Sequence, residues 1–292
     1  MYLAEILALC AAICIAMSSM LVSELRGRLP LLDLARLQMG AAFVMTAAVS
    51  LAVGGWRTVE VWQLGFLALS SLFGIIIAST TYFAAIYTAG PRTTALLFSL
   101  TAPFAVLLGY VFLGETLDGL QGIGIACVLV GILLAIGARG GPKVKGSERV
   151  PCLGIVLGVI TALGQALGSL AARPVMASGV EPFTAMAVRS GIAALFFLIL
   201  LAVPHPAMKP KAQIGKRSLG LAIGSAFFGV GLGMSLLMAA LAHGSVGIVS
   251  TLSSMTPVVI LPMVWVRTGA VPPLLAWLGA ALAVVGTAMI SL

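Results

Sequence analysis

The sequence predicts an all-α membrane protein: ten transmembrane helices in two inverted-topology five-helix repeats. Three observations predict it. The chain is 61% hydrophobic and only 8% charged, whereas soluble domains carry about 25% charged residues. Apolar runs of membrane-crossing length tile nearly all of it. The two halves of the chain also resemble each other segment by segment.

Composition fixes the solvent. With a mean hydropathy of +1.19, the chain lacks the polar side chains to cover a water-facing surface, so it folds in lipid. The net charge of +8 does not indicate nucleic acid. The positive residues sit in short loops between apolar runs, where they act as orientation signals rather than as one basic face. Cys10, Cys14, Cys127 and Cys152 form no CxxC pair. Cys10 and Cys14 are one helical turn apart, but small residues packed between helices are the expectation for them, not a metal site. The first run carries Glu5 where a signal peptide would have a basic region, so no cleavable signal is expected.

A crossing helix needs about 20 mostly apolar residues. Spans of that kind fall near 3–22, 34–54, 63–88, 93–113, 119–138, 152–172, 183–203, 218–241, 246–266 and 272–291. The polar stretch RGGPKVKGSER (139–149) divides them five from five. The expected organisation is therefore a repeat over 1–138, a linker over 139–150 and a repeat over 151–292.

The halves align in consistent order: LGFLALSSLFG (64–74) with LGLAIGSAFFG (219–229), ALLFSLTAPFAVLLGYVFLG (95–114) with VSTLSSMTPVVILPMVWVRT (249–268), and GIACVLVG (124–131) with GAALAVVG (279–286). Five is odd, so the second half enters the membrane from the opposite side. Inverted repeats of this kind place a solute site where the halves meet near the midplane. Loops after odd-numbered spans hold Arg26, Arg28, Arg92, Arg139, Lys143, Lys145, Arg149, Lys209, Lys211, Lys216, Arg217 and Arg267, and loops after even-numbered spans only Arg57 and Arg173. That bias puts the linker in the cytoplasm and both termini outside it.

The segments SLTAP (99–103) and SSMTP (253–257) set hydroxyls and a proline inside apolar spans. A proline within a helix frees the carbonyl four residues back. Pro103 and Pro257 are therefore expected to kink spans four and nine and to free the carbonyls of Ser99 and Ser253. In lipid such a carbonyl needs protein, a hydroxyl or a watery cavity. A polar cavity flanked by two bent helices is the expectation, with Ser99, Ser253 and Ser254 on it. Hydroxyls bonded back to their own helix are the alternative. Ser18, Tyr82, Phe98, Gln165 and Ser169 complete the candidate binding residues. Gln165 weighs most, because an amide in hydrocarbon must find several partners. Gly154/Gly158, Gly164/Gly168 and Gly220/Gly224 are small-xxx-small pairs that let helices approach closely.

All eight acids lie at or near span ends, so no mid-membrane carboxylate is present to relay a proton or bind a cation. Arg189, about two turns into span seven, is the deepest charge. It stands either as a partner for a substrate carboxylate or as a structural residue. Nucleophile-elbow, ligand-spaced metal and phosphate-cradling motifs are missing. An enzyme is not expected, and neither are a cofactor, a metal or a nucleic-acid partner.

Ten spans in two halves, with the proline-bearing fourth span running into FLGETL (112–117), resemble the EamA-type branch of the drug/metabolite transporter superfamily over essentially the whole chain. The second half departs at VRTGAV (266–271), which lacks the Glu. Arg189 matches an arginine frequent in the second span of a repeat, with Gln38 as its counterpart in the first half. The resemblance implies alternating-access transport of small metabolites across the inner (plasma) membrane, with amino acids, aromatic ones included, as the leading solutes and lipophilic drugs as the alternative. The implied partners are a small-molecule substrate and the lipid bilayer, and a monomer suffices. Members of the family are drawn with both termini in the cytoplasm, opposite to the charge count. Both orientations stand at this point.

Overall fold

A computed structural model of the chain describes residues 2–25, 27–137, 152–202, 214–268 and 273–291. The linker expected at 139–150 lies outside these residues, as does most of the 204–217 loop. Every described element is helical. The first half contains α1 (Leu3–Leu25), α2 (Leu31–Val53), α3 (Val61–Ser71), a π-helical turn (Leu72–Ile77), α4 (Ala78–Phe98), α5 (Thr101–Leu113) and α6 (Gly119–Gly137). The second contains α7 (Cys152–Ala177), α8 (Pro182–Ala202), α9 (Lys216–Ala226), a π-helical turn (Phe227–Gly233), α10 (Met234–His243), α11 (Val246–Ser253), α12 (Thr256–Thr268) and α13 (Leu274–Ser291). Six stretches are long and apolar enough to cross a membrane alone: 3–25, 31–53, 61–89, 152–177, 182–202 and 216–243. Four shorter apolar helices complete the ten.

Three boundaries differ from expectation. α7 continues through Pro174 to Ala177, so Arg173 belongs to a helix rather than to a loop. Helical backbone also runs unbroken across 89–92, where a turn between spans three and four was expected. The matching turn exists in the second half. There Gly244 is extended and the Ser245 side chain caps α11 by accepting the Ile248 N–H. Ala89-Gly90-Pro91 offers no side-chain cap of that kind.

The third difference concerns the prolines. Spans four and nine are broken, not kinked. α4 stops at Phe98 and α5 starts at Thr101; α11 stops at Ser253 and α12 starts at Thr256. Pro103 and Pro257 fall in the first turn of the following helix, where a missing N–H costs nothing. The carbonyls expected to be free are bonded. Ser99 O accepts the Ala102 N–H at 3.2 Å, and Ser253 O accepts the Thr256 hydroxyl at 2.9 Å. The hydroxyls of Ser253 and Ser254 both donate back to Ser250 O, as Ser residues in membrane helices commonly do.

The halves are related by contacts that repeat in pairs. α6 lies against α13, and a Cβ on Gly131 would stand 2.5 Å from Gly279 O while one on Gly286 would stand 2.6 Å from Gly124 O. These are the glycines that align in sequence, meeting crosswise. Elsewhere Gly74 faces Gly168, with a Cβ on Gly74 only 3.1 Å from Gly168 Cα, and Gly229 faces Ser18 in the same manner. The Ser70 hydroxyl donates to Gly168 O at 2.5 Å, and the Ser18 hydroxyl donates to Ser225 O at 2.8 Å. Each pair joins one half to the other, with the roles of the halves exchanged.

The chain order defines two faces. The terminus face holds the start of α1, the α5–α6 loop, the α7–α8 turn and the α10–α11 turn. The opposite, linker face holds the end of α6 and the start of α7. The terminus face is closed by polar contacts between the halves. Both Glu115 carboxylate oxygens accept the Val246 N–H, at 3.0 and 2.9 Å. Arg173 Nε approaches Glu115 at 3.8 Å, Ser50 and Thr184 share a hydroxyl bond of 2.7 Å, and Gln63 donates to Ser178 at 3.0 Å.

A candidate solute cavity between the halves

Between the halves lies a cavity of about 540 Å³, open mouth included. α1 contributes Ile15, Ser18, Ser19 and Val22, α2 Gln38, and α4 Ala78, Ser79, Tyr82, Phe83 and Phe98. α7 contributes Thr161 and Gln165, and the second π turn with α10 adds Gly229, Val230 and Met234. Apart from Met234, these positions lie at the midpoint of their spans or on its linker side. The cavity therefore occupies the half of the bundle opposite the closed terminus face. No charged side chain is among the described residues that line it.

Its polar groups divide into engaged and open ones. The Tyr82 hydroxyl pairs with Ser19 Oγ at 2.7 Å, and its ring packs edge-on against Phe98 with centroids 5.6 Å apart. Gln38 Nε2 donates to Ser225 Oγ at 2.6 Å. Thr161 Oγ1 meets Thr81 Oγ1 at 2.7 Å and donates to Leu157 O. Gln165 differs. Among the described residues its amide finds only the Met234 sulfur, 3.9 Å from Nε2. An amide held in an apolar wall without oxygen or nitrogen partners is a ready hydrogen-bonding site for a solute.

Of the residues singled out in the sequence, Ser18, Tyr82, Phe98 and Gln165 meet on this wall. Ser99, Ser169, Ser253 and Ser254 are buried away from it, because the helix breaks turn the hydroxyls at 253 and 254 back onto α11. Arg189 is fully buried and also off the wall. The sequence reasoning did not place Gln38 or Thr161 on the wall. For Gln38 the signal was present, since it is the repeat counterpart of Arg189. The two π-helical turns were also missed. They fall at aligned positions of the repeat, and such turns concentrate at functional sites.

An all-helical bundle of two inverted repeats around a midplane cavity defines a secondary-transporter architecture. The sequence pattern of the EamA-like transporter family matches residues 2–137 and again 152–292, and the chain belongs to that family. It is thus a multi-pass membrane transporter of small molecules and not an enzyme. A protein of known crystal structure is similar over 98% of this chain and 95% of its own, with a TM-score of 0.78 and 22% sequence identity. No curated protein sequence matches the chain.

Proposed function

We propose that the chain is an exporter of small metabolites, most of all amino acids with aromatic ones included, acting by alternating access in the inner (plasma) membrane. The observation that carries this reading is the cavity wall. It joins an open amide, Gln165, to an aromatic pair, Tyr82 and Phe98, with no charged group among the described lining residues. The amide suits the hydrogen-bonding groups of a zwitterionic solute, and the ring pair suits an aromatic side chain. The charge bias of the loops puts the open linker face in the cytoplasm, so the cavity is poised to load a cytoplasmic solute.

Vesicles containing the purified protein and loaded with labelled Phe, Trp, Thr and Met test the reading. Protein-dependent efflux of at least one is expected; absence of flux for all four rejects the amino-acid substrate. The apolar wall also favours a second reading, lipophilic drug transport, which drug-resistance profiles of cells making the protein would reveal.

A further inference from the structure

Arg189 has no use in the cavity described above. It is fully buried in α8, and among the described residues its Nη1 finds only the sulfurs of Met186 and Met238, at 3.3 and 3.2 Å. Nη2 reaches Ser70 O at 3.5 Å, and Nε has no partner among the described residues. No carboxylate among the described residues bonds it. A guanidinium left this under-bonded in a membrane bundle is costly, and such residues mark solute paths. Structural need does not account for the charge, because the same position of the other half holds Gln38. The equivalence is geometric: Gln38 bonds Ser225 as Arg189 reaches Ser70, and Ser70 and Ser225 occupy aligned positions of the repeat.

Gln38 lines the open cavity. Applying the same exchange of halves to the rest of the wall gives a second set of positions. Ser18 and Ser19 map to Gly168 and Ser169, Tyr82 and Phe83 to Leu237 and Met238, Phe98 to Leu252, and Gln38 to Arg189. All of these are buried in the present state. Gln165 replaces Ile15 under the exchange and belongs to both sets. Inverted repeats reach their second state when each half takes up the arrangement the other now holds. The second set then lines a cavity open to the terminus face.

We propose that Arg189 is the anion-binding residue of this second cavity, which receives the carboxylate of a solute whose other end rests on Gln165. The proposal rests on the reading of the chain as an alternating-access carrier and narrows its solutes to carboxylate-bearing ones. One guanidinium balances one carboxylate and can bond it bidentately. A phosphate would leave a charge uncompensated.

The test uses the full chain in vesicles, with Cys10, Cys14, Cys127 and Cys152 replaced by alanine and Ser169→Cys added. Protease cleavage of a C-terminal tag identifies vesicles with the terminus face outward. Impermeant methanethiosulfonates added outside should label Ser169→Cys; absence of labelling overturns the second cavity. The anionic sulfonatoethyl reagent should outpace the cationic trimethylammonium one, and Arg189→Gln should lower that ratio by roughly tenfold while Arg189→Lys preserves it. Gln is the residue the other repeat uses, so the variant is compatible with folding. Phenylacetate, unlike phenylacetamide, should slow labelling when Arg189 is present. An unchanged ratio, or equal effects of acid and amide, overturns the anion site. None of these readouts depends on amino-acid flux.

Discussion

Glu115 holds the start of α11 across the interface between the repeats, with both carboxylate oxygens on the Val246 N–H. The acid comes from the loop after α5, and the N–H comes from the other half. A carboxylate at a helix N-terminus is favoured by the helix dipole and by the unpaired N–H groups there. Arg173 of α7 adds a second, weaker partner at 3.8 Å. The equivalent stretch of the second half, VRTGAV (266–271), carries no acid.

Glu115→Ala should therefore destabilise the closed terminus face. The loss expected is about 1.5–3 kcal/mol, the usual worth of a hydrogen bond to a charged group. Arg173→Ala should cost less, within about 1 kcal/mol, because that pair is long and partly exposed. Thermal unfolding of the two purified variants measures the difference. Equal losses would mean that the ion pair, not the helix cap, closes this face.

Gln165→Ala and Tyr82→Phe should separate binding from packing. Among the described residues the only polar contact of Gln165 is the weak one to the Met234 sulfur, so its removal should cost the fold little hydrogen bonding. Transport affinity should fall roughly 5–150-fold, the equivalent of about 1–3 kcal/mol for an unmade hydrogen bond. Tyr82→Phe keeps the ring against Phe98 and loses only the bond to Ser19. It should change both readouts by less than about 1.5 kcal/mol. Flux and unfolding measured on the same preparations check both outcomes.

Much of this was legible in the chain. Span count and repeat register follow from hydropathy and glycine spacing, and Gly124, Gly131, Gly279 and Gly286 meet as their alignment implies. Four of the eight candidate wall residues lie on the wall. The prolines misled because a proline reads alike whether it bends a helix or starts one. Helical backbone stops at Phe98 and at Ser253, and those ends are set by local hydroxyl bonds such as Thr101 to Phe98 O. The π turns were illegible for a related reason. LFGIII and FFGVGLG are ordinary apolar helix sequences, and only their crossing with Gly168 and Ser18 distinguishes them.

Gly131→Leu should disrupt the α6–α13 pair without touching the cavity. A Cβ alone would stand 2.5 Å from Gly279 O and 2.6 Å from Ala283 N, so the backbones must separate. Overpacking of this kind costs about 1–3 kcal/mol. Gly286→Leu should cost a similar amount because it meets Gly124 O and Val128 N in the same way. The double variant should cost less than the sum, since one separation relieves both collisions. A double-mutant cycle by thermal unfolding checks this, and full additivity would mean that the two crossings open independently.

Deleting one residue from a π-helical turn should leave the two parts of the wall in register. A π turn holds one more residue than the α-helical turn it interrupts, so removing that residue restores α-helical bonding while the flanking segments keep their mutual rotation. Removing Ile77 should therefore keep the bond from Tyr82 to Ser19 and the packing on Phe98, while Ser70 and Ser71, N-terminal to the turn, keep their bonds to Gly168 O and Arg189 O. The expected result is a protein that inserts, stays folded and still carries solute. The same deletion at Phe228 should leave Met234 beside Gln165 with the same outcome. Flux lost after either deletion, with unfolding unchanged, would mean that the widened turns themselves set the wall's geometry.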